Sequence, residues 1–135
     1  MYCTQADLEV EYSTEEIARI ADRAVPPAGS ADAAVVSNAI AAADAEIDGY
    51  LRAITSLPLA STPALIKYIA MRIARYRLYD DQATEKVRQD YEDGARMLRD
   101  VYAGKIQLFD APAEVGTVVV KGTSAVFTDA LLGLT

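Results

Sequence analysis

The stretch TPALIKYIAMRIARYRLYDD, residues 62–81, decides how the rest of the chain must be arranged. Thr62 can accept hydrogen bonds from the free N–H groups of a first helical turn, and Pro63 suits the first helical position, where no N–H partner is needed. Leu65, Ile66, Ile69, Ile73 and Tyr76 then recur at helical steps, while Tyr68, Met71 and Leu78 spread the apolar surface beyond one stripe. Such a helix needs cover on more than one side. Lys67, Arg72, Arg75 and Arg77 also make it the strongly basic segment of an acidic chain, so its neighbours are expected to turn carboxylates towards it.

On its N-terminal side, from Asp32 to about Thr55, Val36, Ile40, Ala43, Ile47, Leu51 and Ile54 form a second apolar stripe flanked by small alanines. This predicts a long amphipathic helix that a neighbour can approach closely. A turn at 56–61 carrying Pro58 returns the chain, so the two helices form an antiparallel pair. The expected ion pairs join Asp44 or Asp48 to Arg72, Arg75 or Arg77, with Asp48 to Arg52 as an intrahelical alternative. Asp44, Glu46, Asp48 and Gly49 superficially resemble the start of an EF-hand calcium loop. The match fails because position twelve would be Thr55 and the surrounding pattern is helical.

On its C-terminal side, Thr84 can cap a third long helix to about Ala103, with Val87, Tyr91, Leu98 and Tyr102 inward. Glu85, Arg88, Glu92, Arg96 and Arg99 cover its outside, and Gly104 stands where a left-handed capping residue is wanted. Gly94, inside this helix, marks a close contact or a bend. Ahead of all three, Thr4 with Asp7 predicts a short helix over 5–11. Ser13 with Glu16 gives a cleaner capping box for another short helix to about Asp22. Leu8, Val10, Ile17 and Ile20 are their anchors, and the run VPPAGS at 25–30 is a loop.

Beyond Lys105, Ile106, Leu108 and Phe109 are placed to close the core. Residues 115–120 are a short β-branched run, 121–124 read as a linker, and AVFTDALL at 125–132 ends on apolar anchors. The expected architecture is therefore all-α. A small bundle of two short N-terminal and three long helices spans residues 1–109, and an extended C-terminal arm with a short β segment spans 110–135. Val118, Val120, Phe127, Leu131 and Leu132 are the arm's candidate contact residues. Either they dock in a groove on another chain or they fold back on their own core.

Composition narrows the function. With 13 basic and 20 acidic residues among 135 the net charge is −7, which disfavours a phosphate-binding surface and direct DNA binding. There is no histidine, Cys3 is the single cysteine, and no Gly-rich phosphate loop is present, so zinc, Cys/His and P-loop constellations are excluded. Neither a cofactor nor catalysis is expected, and Cys3 reads as a free buried or half-buried thiol. No apolar run is long enough for a membrane span. The acidic opening MYCTQADLEVEY lacks the basic-then-apolar order of a signal peptide, so a soluble, unsecreted protein is expected. The 8 tyrosines against 2 phenylalanines suit interfaces as well as cores.

Four blocks taken in order, MYCTQADLEVEYSTEEI, DAEIDGYL, IARYRLYD and YEDGARMLRDVYAGKIQL, resemble the small Mu-like phage and prophage proteins encoded in the head-gene cluster. The ending AVFTDALLGL is similar to the aromatic-Ser/Thr-Asp-x-Leu-x-Gly ending of that family. The chain departs from the family in the loop at 26–29 and at Ala130 and Leu132. The resemblance implies a virion neck protein: a head–tail connector, or adaptor, forming a ring beneath the portal, a dodecamer by analogy with portal symmetry. Its partners would be the portal protein, tail-side neck proteins and further copies of itself, with DNA passing through the channel without specific binding. Rival readings are a head-completion or tail-terminator protein of the neck and, in a different class, a small regulatory or peptide-binding helical module.

Overall fold

The structure, a computed structural model, describes residues 1–108. Five α-helices occur in the order α1 (Gln5–Tyr12), α2 (Thr14–Ala21), α3 (Ala33–Leu51), α4 (Ala64–Tyr79) and α5 (Glu85–Tyr102). A single 3₁₀ turn at Asp80–Gln82 joins α4 to α5. Among the described residues there is no strand. The all-α bundle of two short and three long helices is as the sequence predicts; the arm at 110–135 and Phe109 lie outside the described residues.

The caps explain most of the boundaries. Thr4 and Asp7 form a complete capping box: the Asp7 N–H donates to Thr4 Oγ1 at 3.1 Å, and the Thr4 N–H donates to Asp7 Oδ2 at 2.9 Å. Ser13 Oγ accepts from the Glu16 N–H at 3.1 Å, but the Glu16 carboxylate turns away to α4, so the cleaner box is the one at Thr4. α4 starts one residue later than Thr62 capping would give. Pro63 itself is the N-cap, held extended at φ −60 and ψ 148 with no side-chain cap, and its carbonyl accepts the Lys67 N–H at 3.1 Å. α5 is capped by Thr84 Oγ1, which accepts from the Val87 N–H at 3.2 Å.

The three long helices run up, down and up. Ile69 faces Gly94 while Arg75, further along α4, reaches back to Asp90, so α4 and α5 are antiparallel. Glu46 meets Tyr91 and Tyr50 meets Tyr102, so α3 and α5 point the same way. α4 therefore lies antiparallel to both, and it also packs against α1 and α2. Its Ile66, Ile69 and Ile73 are fully buried in one core cluster with Leu8, Ile17, Val36, Ile47, Leu51 and Leu98. Each such side chain contributes about 1.5–3 kcal/mol on burial.

Three anticipated core positions are exposed instead. Val10 is 88% exposed because Leu8 and Tyr12 turn inward, and a residue midway between them points to the opposite face. Ile54 is 40% exposed because α3 ends at Leu51. Tyr102 is 51% exposed because Val101 continues the buried series from Val87, Gly94 and Leu98, and the next residue is rotated about 100° away.

Candidate functional site

The most connected polar site sits where α2, α4 and α5 meet. Arg72 and Arg75, one turn apart, face the same side of α4, so one acid can bridge them. Asp90 of α5 does so, with Oδ1 3.4 Å from Arg72 Nη1 and Oδ2 3.5 Å from Arg75 Nη1. Arg75 Nε–H also donates to Glu16 Oε2 at 2.7 Å, and the Tyr79 hydroxyl donates to that same oxygen at 3.0 Å. Arg19 Nη2 in turn donates to the Tyr79 hydroxyl at 3.2 Å. The guanidinium of Arg75 lies 4.2 Å from the centroid of Tyr12, and that of Arg72 4.4 Å from Tyr68. Partial burial works to lower the Arg75 pKa, but the hydrogen bond and charge of Glu16 hold it above its ordinary value. Burial pushes the Tyr12 phenol up to about 12.

Asp44 and Asp48 do not reach this network. They hold the first residues of the chain: Asp44 Oδ1 accepts the Tyr2 N–H at 3.0 Å, Asp44 Oδ2 lies 3.6 Å from the Met1 ammonium, and Asp48 accepts the Tyr2 hydroxyl. Asp48 thus serves Tyr2, not Arg52. One turn apart on α3, the two acids share a face, whereas Glu46 is rotated about 200° from Asp44. Glu46 is the α3 carboxylate that meets α4, with Oε1 3.2 Å from Arg77 Nη2 and Oε2 accepting from the Tyr91 hydroxyl at 2.9 Å. Tyr91 also stacks on Tyr76, centroids 4.2 Å apart. Burial and the bond to Glu46 push its phenol up to about 12. Sequence reasoning found the cations and missed Glu16, Asp90 and Glu46. Glu16 was assigned to a cap, and the shared face of Arg72 and Arg75 was the available signal for a single bridging acid.

Cys3 is a free thiol only 2% exposed beneath this N-terminal segment. Burial, then the Asp44 charge, pushes it up to about 12. Among the described residues no group of three or more His, Cys, Asp and Glu side chains is arranged to hold a metal ion. No helix there is long and apolar enough to cross a membrane. The surface among the described residues carries several open hollows. A cleft of about 510 Å³ lies between Arg19, Arg23 and the turn from Leu78 to Gln82, and an apolar groove of about 260 Å³ lies at the C-terminal end of α5. Val118, Val120, Phe127, Leu131 and Leu132 lie outside the described residues.

With that geometry in view, comparison with known proteins places the chain among bacteriophage and prophage proteins. The family model for Bacteriophage Mu, Gp36, matches residues 2–121, and the chain belongs to that family. The Mu-like prophage FluMu protein gp36 of Haemophilus influenzae is 38% identical over 108 residues, covering 80% of this chain and 75% of that protein. Gene product J of Escherichia phage Mu is 38% identical over 104 residues, covering 77% and 73% respectively. The family match includes Val118 and Val120 and stops before Phe127.

Proposed function

We propose that this phage-family protein is a structural component of the virion neck, a head–tail connector that forms a ring beneath the portal and links it to tail-side proteins. The observation that carries the reading is the family match across residues 2–121, which supplies the phage context for a small helical bundle. The polar geometry agrees with an architectural role. Glu16, Glu46, Arg72, Arg75 and Asp90 are committed to holding helices together.

Ring subunits meet through two different surfaces of one chain, and complementary charge favours that kind of contact. Outward charges of both signs are available for such contacts: Asp80 and Asp81 are exposed at the C-terminal end of α4, and Arg52 and Arg99 at the opposite end of the bundle. A net charge of −7 would let DNA pass along a channel without adhering to its wall. The test is co-expression with the portal protein of the same phage, followed by electron microscopy of the purified complex. A ring on the portal's tail-side face is expected. A chain that never co-purifies with portal, or that is absent from finished particles, overturns the neck reading. A ring seen only at the tail end would move the protein to a tail-terminator role.

A further inference from the structure

The apolar groove at the end of α5 owes its shape to a Schellman turn. The Lys105 N–H donates to the Asp100 carbonyl at 2.8 Å and the Gly104 N–H to the Val101 carbonyl at 3.1 Å, with Gly104 at φ 82. The turn sends the chain back across the helix end, so that Ile106 and Leu108 join Val101, Tyr102 and Ile54 around the groove. Among the described residues no charged side chain lines it, and Gln107 is its one polar side chain besides the Tyr102 hydroxyl. Ile54 and Tyr102, both exposed, form part of its wall. Its volume of about 260 Å³ exceeds the roughly 150 Å³ of an apolar cavity that accepts a benzene ring.

Residues 109–135 continue from Leu108, which is itself a wall of this groove. They carry the polar stretch KGTS at 121–124 and then AVFTDALL, where Phe127, Leu131 and Leu132 offer an aromatic ring and two aliphatic side chains. The residues between Leu108 and Phe127 can span at most about 65 Å when extended, far more than a return to the groove requires. A tether of this kind gives an effective concentration of order millimolar, well above that of a second copy in dilute solution. We infer that the groove is the seat of the chain's own segment 125–132 in the free subunit, with Phe127 as its aromatic anchor. This inference concerns the isolated chain and stands independently of the neck reading.

The test uses the full chain with Thr55→Cys, next in sequence to the groove residue Ile54, and Thr128→Cys beside the anchor. The native Cys3 is 2% exposed and does not compete. Under mild oxidation an intramolecular disulfide is expected to form about tenfold faster than in a control pairing Val10→Cys with Thr128→Cys. Adding Phe127→Asp should remove that advantage while the helical content stays unchanged. Equal rates in the two pairs, disulfides formed mainly between separate copies, or an unchanged rate with Phe127→Asp would each overturn the assignment. None of these outcomes bears on whether the protein co-purifies with portal.

Discussion

Arg75 and Glu16 stand 59 positions apart in sequence, and their side chains meet at 2.7 Å, Nε to Oε2. Both are largely shielded, at 14% and 18% side-chain exposure, and the contact ties α2 to the central helix. A charged hydrogen bond in such a setting contributes about 1.5–3 kcal/mol, and its loss leaves a carboxylate without its cation. Arg75→Ala is therefore expected to destabilise the bundle by about 2 kcal/mol, with Glu16→Gln costing less because the amide still accepts from Tyr79. Urea unfolding followed by circular dichroism measures both. An Arg75→Ala midpoint equal to that of the unsubstituted chain would contradict the role assigned to this pair.

The acids of α3 are predicted to separate by function. Asp44→Ala should leave the packing of α4 and α5 intact while loosening the first residues, so that the Cys3 thiol reacts with a maleimide reagent much faster than before. Arg77→Ala should change stability by less than about 1 kcal/mol, since Arg77 is nearly half exposed and water screens its bond to Glu46. A large loss with Arg77→Ala and none of the thiol exposure with Asp44→Ala would reverse this ordering.

Gly94 is buried inside α5, and an added Cβ would lie 3.5 Å from Arg72 Cδ, 3.6 Å from Arg72 Cβ and 3.9 Å from Ile69 Cγ2. These are ordinary contact distances. Gly94→Ala should thus gain the helix propensity difference, stabilising the protein by about 0.5–1 kcal/mol. Larger side chains have no such room, and Gly94→Leu should destabilise. Gly104→Ala is expected to cost about 1–2 kcal/mol, because its φ of 82 is unfavourable once a Cβ is present. Paired thermal melts of the three variants check the signs.

Alkaline conditions should unfold the protein through groups whose neutral forms it buries. Cys3 rises from an ordinary 9.0 to about 12, and Tyr12 and Tyr91 from 10.0 to about 12. Each folded value lies above the unfolded one, so the folded state holds its proton longer. The associated stability is complete below about pH 9 and is lost as the pH climbs from 9 towards 12. With respect to these three groups, urea midpoints measured from pH 7 to 11.5 should stay level to about pH 9 and fall above it. Tyr12→Phe should flatten part of the decline above pH 10.

Much of this architecture was legible in local sequence. Thr4, Ser13, Asp32 and Thr84 announce helix starts by chemistry that acts within one turn, and Gly104 announces a stop in the same way. The partners of the arginines were not legible, because which carboxylate meets Arg75 depends on how α2 and α5 are rotated about α4, and no single helix carries that information. Glu16 illustrates the limit: its spacing from Ser13 suits a capping box, yet the half-buried Arg75 guanidinium takes its carboxylate instead. Periodicity alone points Ile54 and Tyr102 inward. One lies past the point where its helix stops, and the other is displaced by its neighbour Val101.

Because α4 touches each of the other four helices, no part of the bundle can detach without uncovering that central rod. Unfolding should accordingly be a single cooperative event with no half-assembled survivor. A mechanical pull on any one helix would likewise reach the other four through α4.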